Sequence, residues 1–266
     1  MPSRYFVELT QPEIAAHFKK NPLVILPAGS VEQHGPHLPT GTDMYAVDVI
    51  AEAVAERMDG LVLPGSPLGV TPLHMPYEGT ITLTPETYMR VVVETCASTA
   101  KHGAKYLLII NWHEGNIASL SIAAEALHRE HGMTVATAQA CYVAADMFGP
   151  ECNGLTHGGE IEALAVLARR AELVHLDRIQ NSSEHAHASK MDKLRRTRSY
   201  QPVLTDIRSI APTGWYGSPQ PATVEKGRRM VSAIADAIAK EATQIFRQLD
   251  AVQGGVAEVK RLHQVG

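Results

Sequence analysis

Residues 23–43 read LVILPAGSVEQHGPHLPTGTD, a short apolar run followed by a loop rich in glycine and proline. The run from Leu23 to Leu26 predicts a buried strand that ends near Pro27. Four side chains that bind metals or carry protons lie in the loop: Glu32, His34, His37 and Asp43. Because open parallel sheets bind ligands beyond the carboxyl ends of their strands, this strand and its loop predict both a sheet and a site.

Short apolar runs alternate with helical patterns along the rest of the chain. The predicted strands that follow are 61–63, 106–110 and 133–140, and the predicted helices are 46–57, 85–101, 116–131, 159–170 and 223–249. Such alternation is typical of a parallel sheet covered by helices on both faces. We expect a single domain over 1–266, with an irregular active-site or interface segment at 181–216 and a C-terminal tail at 250–266.

The composition excludes several classes of function. A formal net charge of −4 and a sequence pI near 6.3 give no basic surface for nucleic acid or anionic membranes. No apolar run approaches the length of a membrane span, and no apolar signal segment follows the N-terminus. The 3 cysteines are odd in number and widely spaced, so a disulfide framework is not expected. We predict a cytoplasmic protein with a small-molecule substrate and no nucleic-acid or membrane partner.

Two further polar clusters follow predicted elements in the same way. The turn NWHEGN at 111–116 directly follows the strand 106–110, and HGGEIE at 157–162 opens a predicted helix. Histidine and carboxylate ligands without thiolate suit zinc, manganese or iron in a hydrolytic site. Alternate residues of extended backbone point the same way, so Glu32 and His34 can face the same metal ions.

Each cluster also has a simpler interpretation. Polar residues after a strand can form an ordinary solvated loop, and a histidine such as His113 is often only a hydrogen-bonded core or surface group. Glu160 and Glu162 in the first turn of a helix interact favourably with the helix dipole. The placement of three clusters where an α/β sheet binds ligands favours the metal site.

These motifs resemble those of the creatininase (creatinine amidohydrolase) family. The resemblance rests on collinear motifs within about residues 5–248: 26–43, EGTITL at 78–83, 111–116, 157–162, GSP at 217–219 and ATVEKG at 222–227. It implies an α/β fold, a three-layer α/β/α sandwich with a mainly parallel central sheet. It also implies two divalent metal ions per subunit, Zn²⁺ or Mn²⁺ with Fe²⁺ as an alternative, and a homohexamer built as a trimer of dimers.

The resemblance further implies hydrolysis of an amide, formamide or cyclic amide by a hydroxide that bridges the two metals. Carried over position by position, Glu32 and His113 bind one metal, His34 binds the other, and Asp43 bridges them. His157 matches a catalytic histidine that carries a proton to the leaving nitrogen.

Further candidates complete the predicted site. Glu114 is a second catalytic candidate, and the substrate-binding candidates are Trp112, Tyr142, His74 and Thr80. Trp112 stands where the family usually has glycine, so it either narrows the pocket or lies buried beneath the loop.

Other positions depart from creatininase itself and indicate a divergent member. Creatininase stacks its flat substrate against tryptophans, and the matching positions hold Tyr142 and Asn153, so creatinine is a poor candidate substrate. One alternative function is a ring-opening hydrolase of an oxidised cyclitol or related cyclic ketone, like 3-dehydro-scyllo-inosose hydrolase. Another is a non-catalytic relative that keeps the fold for binding.

One metal ligand is displaced. Creatininase takes a carboxylate ligand from its Asn-x-His turn. The matching position in this chain is Gly115, which has no side chain to bind a metal. We therefore expect Glu160 to complete the second metal's ligands, from a helix that starts near Gly158. Glu162 is the alternative if the helix starts later.

Overall fold

A parallel sheet forms the centre of the molecule. The computed structural model describes residues 3–179, 188, 190–191, 194 and 203–263, and beyond Val252 it gives only the course of a helix. Within these residues the strands are β1 (Leu23–Ala28), β2 (Leu61–Val62), β3 (Tyr106–Asn111) and β4 (Thr134–Gln139). They form a 4-stranded sheet in the order β2-β1-β3-β4, with every pairing parallel.

Helices cover both faces of this sheet. They are α1 (Gln11–Lys20), α2 (Thr42–Met58), α3 (Pro85–Ala100), α4 (Ile117–His131), α5 (Ala140–Phe148), α6 (Glu160–Arg170) and α7 (Val224–His263). One apolar cluster joins the sheet to α2, α5, α6 and α7, and a second joins it to α1, α3 and α4. The predicted three-layer α/β/α sandwich is therefore confirmed.

Strand residues alternate between the two apolar clusters. Leu108 and Ile110 pack toward α2, whereas Leu107 and Ile109 pack toward α3 and α4. Side chains of successive strand residues point to opposite faces, so a strand buried on both faces appears in the sequence as a continuous apolar run. This explains why the continuous apolar run at 106–110 predicts a buried strand.

The register of the three longer strands determines where their loops begin. β1 pairs with β3 from Leu23 opposite Tyr106 to Ala28 opposite Asn111. β3 pairs with β4 in step as well, and Asn111 lies opposite Gln139. The strands therefore end together, and the polar residues that follow β1 and β3 emerge side by side at one edge of the sheet.

Among the helices named above, α1 and α5 were not predicted, and α7 is longer than predicted. α1 starts with a capping box in which Glu13 accepts a hydrogen bond from the Thr10 backbone N–H at 2.7 Å, and α5 follows β4 without an intervening loop. α7 continues to His263, through most of the expected tail at 250–266. Much of the irregular segment 181–216 lies outside the described residues; its part from 203 onward consists of turns and a short 3₁₀ helix, Ile207–Ser209. No helix in the described parts of the chain is long and apolar enough to cross a bilayer.

The central strand should tolerate truncation poorly. Ile109 is fully buried in β3, so Ile109→Ala should lower the free energy of unfolding by about 2–5 kcal/mol. Ile122→Ala in α4 is the matched control, because Ile122 is 58% exposed and its loss should cost less than about 0.5 kcal/mol. Urea unfolding measures both values, and equal losses would contradict the assigned core.

Candidate metal centre

Residues from separate parts of the chain meet at the carboxyl edge of the sheet. We call this group the acid–histidine cluster; its members are Glu32, His34, Asp43, His113, His157 and Glu162. The first two lie in the loop after β1, Asp43 lies in the first turn of α2, and His113 follows β3. His157 precedes α6, and Glu162 lies in that helix's first turn. The structure thus brings together five of the predicted site residues with Glu162, the predicted alternative to Glu160.

Asp43 lies between the two halves of the cluster. Its Oδ1 is 3.4 Å from His34 Nε2, and its Oδ2 is 3.2 Å from His113 Nδ1. Glu32 Oε2 is also 3.2 Å from His113 Nδ1, and Glu162 Oε2 is 3.6 Å from His34 Nε2. Each of three overlapping groups has ligand atoms within 4.8 Å of one another: Glu32/Asp43/His113, His34/Asp43/Glu162 and Glu32/His34/His157.

His34 and His113 each present a ring nitrogen that could bind a cation. His34 Nδ1 is 3.1 Å from the Glu32 backbone oxygen, and His34 Nε2 is buried without a hydrogen-bond partner among the residues that the structure describes. His113 Nε2 is 3.0 Å from the Val70 backbone oxygen, which leaves Nδ1 facing the carboxylates. A metal-binding histidine commonly donates its other ring N–H to such a carbonyl. The donor set therefore fits a divalent cation bound by nitrogen and oxygen.

Hydroxyl and backbone donors orient the carboxylates. Ser30 Oγ donates to Asp43 Oδ2 at 2.7 Å, and the Thr71 hydroxyl donates to Glu32 Oε2. The Gly158 N–H donates to Glu162 Oε2 at 2.6 Å. Ser30 and Thr71 are not recognisable as site residues from the sequence, because a hydroxyl that orients a carboxylate carries no motif of its own. Only its position in the fold reveals this role.

The carboxylates of the cluster raise the pKa values of His34 and His113. Burial opposes a positive charge on His34, but Glu162 and Asp43 raise its pKa to about 10. Burial likewise opposes a charge on His113, where Glu32 and Asp43 raise the pKa to about 9. Closely spaced carboxylates need nearby positive charge. Protons on these rings can provide it, and a metal ion that binds here would displace them.

The carboxylates respond differently to the same surroundings. Burial raises the pKa of Glu162 to about 8, and His34 only partly offsets this rise. Burial also opposes ionisation of Asp43, but His34 and His113 hold its pKa well below the ordinary value. Asp43 therefore carries the negative charge that the two halves of the cluster share.

Glu160 does not join the cluster. α6 begins at Glu160, after Gly159 as N-cap, which is later than the expected start near Gly158. Glu160 Oε1 accepts a hydrogen bond from Lys226 Nζ at 2.6 Å, and this carboxylate belongs to none of the three candidate groups. Residues two apart in a helix lie about 200° apart around its axis, so only one can face the cluster. The structure places Glu162 there.

Gly115 cannot supply a ligand with its present backbone. A Cβ at this position would collide with the Val70 backbone oxygen and the His113 ring. The turn approaches both groups too closely for a side chain. A carboxylate for the second half of the cluster must therefore come from another element, as Glu162 does from α6.

A cavity of about 280 Å³ opens beside the cluster. Besides members of the acid–histidine cluster, three other predicted residues line it, His74, Trp112 and Glu114, and Trp112 is itself buried. Two other predicted substrate-binding residues do not: Tyr142 packs against the core on the α2 side, and Thr80 accepts a hydrogen bond from the Gln33 N–H at 3.2 Å. Apolar and aromatic side chains form another part of the wall: Leu73, Leu155, Val203, Leu204, Ile207 and Tyr216.

Two histidines at this cavity are suited to remain neutral. Burial lowers the pKa of His74 to about 4, even though Glu32 opposes the shift. Burial, then His34 and His74, hold the pKa of His157 well below its ordinary value. The His157 ring centroid lies 4.3 Å from those of both His34 and His74. Neutral imidazoles can donate at one nitrogen and accept at the other.

The two glutamates of α6 should differ in metal binding. Removing a residue that only hydrogen-bonds to a metal ligand typically weakens metal binding by about 10- to 100-fold. Glu162→Gln should weaken zinc binding by more than that, because it removes a proposed ligand itself. Glu160→Gln is the matched control and should leave bound zinc unchanged, because its carboxylate faces Lys226. Elemental analysis after zinc loading and desalting measures both. Zinc loss in the Glu160 variant alone would reverse the assignment.

Comparison with known proteins identifies named relatives. The chain is 30% identical over 224 residues to the mycofactocin precursor peptide peptidase of Mycobacterium ulcerans (strain Agy99), covering 81% of this chain and 82% of that protein. It is 28% identical over 260 residues to the creatinine amidohydrolase of Pseudomonas putida, covering 88% and 95% of the two chains.

Solved structures agree with this relationship. The structure named "Creatininase Mn" matches with a TM-score of 0.73 and 25% identity, over 91% of this chain and 98% of that chain. The family model Creatininase, described as creatinine amidohydrolase, matches residues 7–242. These matches confirm the prediction of a hydrolase that diverges from creatininase itself. The chain belongs to the creatininase family.

Proposed function

We propose that this chain is a metal-dependent hydrolase that holds two divalent ions in the acid–histidine cluster and cleaves the C–N bond of an amide. One observation carries the proposal: Asp43 directs one oxygen to His34 and the other to His113. A carboxylate shared in this way is suited to bridge two cations. Glu32 would complete one set of ligands and Glu162 the other.

The chain's own residues prepare the site for hydrolysis. Divalent ions held there would polarise a substrate carbonyl and make a bound water more acidic. Ser30 and Thr71 keep the carboxylates of Asp43 and Glu32 in a fixed orientation. His157 lines the cavity with its Nδ1 3.8 Å from Glu32 Oε1, so it can take up a proton and return it to the leaving nitrogen.

The cavity favours an amide that carries an apolar group. Leu73, Leu204 and Ile207 are apolar residues of the cavity wall, and no lysine or arginine lies among the described residues that line the cavity. A relative is named as a peptidase of a precursor peptide, which supports a peptide-like or small acyl amide. The ring-opening reaction of an oxidised cyclitol remains an alternative outcome of the substrate test. A non-catalytic role does not explain why the full ligand set is present.

Other predictions accompany this proposal. Zn²⁺ and Mn²⁺ are the cations that we propose, and the hexameric assembly and cytoplasmic location stay predictions. Glu114 lines the cavity and stays a candidate for a second catalytic residue.

Loss of the shared carboxylate should empty both halves of the site. Asp43→Asn should reduce bound zinc from about two ions per chain to well below one, with amide hydrolysis falling at least about 100-fold. Asp48→Asn is the control on the same helix, because Asp48 pairs with Arg169 and Tyr5 away from the cluster. Elemental analysis and circular dichroism compare the variants. A folded Asp43 variant with unchanged zinc would refute the bridge.

The substrate preference should exclude creatinine. Tyr142 does not line the cavity, and Asn153 is likewise outside its lining, so these two positions offer no surface for stacking a flat ring there. The zinc-loaded protein should hydrolyse some acyl amides, formamides or short apolar peptides at least about tenfold faster than creatinine. A panel that includes creatinine and a cyclitol ketone measures this. Creatinine turnover of order 10² per second would contradict the prediction.

A further inference from the structure

Gln33 lies between the ligands Glu32 and His34, and its own side chain is buried. Two backbone groups fix the orientation of its amide. The Gly35 N–H donates to Oε1 at 3.1 Å, and Nε2 donates to the Gly214 backbone oxygen at 2.5 Å. A reversed amide would place oxygen against oxygen and N–H against N–H. The donor end of this amide therefore faces Gly214.

The same Nε2 lies 3.0 Å from His74 Nδ1. An amide NH₂ group donates hydrogen bonds and does not accept them. His74 Nδ1 must therefore be the acceptor, and an uncharged His74 carries its single hydrogen on Nε2. That N–H points into the site, where Nε2 is 3.6 Å from Glu32 Oε1.

The backbone of Gln33 acts on His157. His157 Nε2 lies 2.7 Å from the Gln33 backbone oxygen, which can only accept. An uncharged His157 therefore carries its hydrogen on Nε2, and its Nδ1 faces the site without one. Gln33 Nε2 is also 3.0 Å from His157 Nε2, but this contact joins two donors and forms no hydrogen bond.

We propose that Gln33 is a positioning residue that fixes both imidazoles as Nε2–H tautomers, so that His74 presents an N–H to the reacting groups and His157 presents a bare nitrogen. This inference rests on the proposed function for its chemical use. His157 Nδ1 accepts a proton from the attacking water as the C–O bond forms. The resulting imidazolium returns that proton to the leaving nitrogen as the C–N bond breaks, while the His74 N–H donates to the carbonyl oxygen.

The geometry of the 203–216 segment supports this role. Gly214 has a φ of +82°, and a Cβ there would collide with Gln33 Oε1. The Tyr216 N–H donates to the His157 backbone oxygen at 2.8 Å. The segment that forms part of the cavity wall thus also holds Gln33 and His157 in place.

Long-range ¹H–¹⁵N NMR of zinc-loaded protein with ¹⁵N-labelled histidine tests the inference directly, with assignments from His74→Asn and His157→Asn. We expect both rings of the unsubstituted protein to carry hydrogen on Nε2. An Nδ1–H on either ring would overturn the proposal. This measurement needs no folded Gln33 variant and no substrate.

Gln33→Glu should change His74 alone. A carboxylate accepts, so the His74 hydrogen should move to Nδ1, whereas His157 should keep its Nε2–H on the unchanged backbone carbonyl. Tyr77→Phe is the control, because it removes a hydrogen bond to the Pro212 backbone oxygen in the same segment without touching Gln33. Both rings should remain Nε2–H in that variant. A Gln33→Glu protein with His74 still on Nε2 would overturn the role of the side chain.

Kinetics separate this inference from the proposed function. On an amide that the substrate panel identifies, Gln33→Glu should lower kcat at least about tenfold and leave KM within about twofold, since loss of one hydrogen-bond donor to the developing oxyanion typically costs about 10²–10³ in kcat. Unchanged kcat despite a shifted His74 tautomer would refute the catalytic use. If no amide reacts, the proposed function fails, while the tautomer measurement still decides whether Gln33 positions both rings.

Discussion

The arrangement of this site depends on the burial of several carboxylates close together. Glu32, Asp43 and Glu162 lie within reach of the same histidines, and their like charges cannot share a low-dielectric interior without positive charge between them. His34 and His113 can provide it as protonated rings, and divalent ions can replace those protons. β1 and β3 pair in register and end at the same edge of the sheet, so the loops that carry most of these groups begin side by side there.

Neighbouring histidines in this site have pKa values shifted in opposite directions. His34 faces several carboxylates and is held toward the charged state, whereas His74 faces Glu32 and other histidines and is held neutral. The His157 ring lies 4.3 Å from both of these rings, and burial together with His34 and His74 holds its pKa well below the ordinary value. The rings thus differ in pKa according to how many carboxylates each one meets, and Gln33 contacts both His74 and His157.

Much of the fold could be predicted because it depends on local patterns. Continuous apolar runs predicted the buried strands, and the alternation of extended backbone predicted that Glu32 and His34 share a site, where the structure brings them together. α1 was missed although Thr10 and Glu13 form a capping box, because its apolar face is narrow. α5 was missed because no loop residues separate it from β4.

The sequence by itself determined the α/β class, the strand-end location of the site and the residue types that fit a metal. Only the tertiary structure decided which glutamate of α6 faces the cluster, since a shift in helix start rotates every later side chain by about 100° per residue. It also showed that Gly115 has no room for a ligand and that the segment from 203 to 216 forms an apolar wall and contacts Gln33. These features depend on contacts between residues far apart in the chain, and no local pattern encodes such distances.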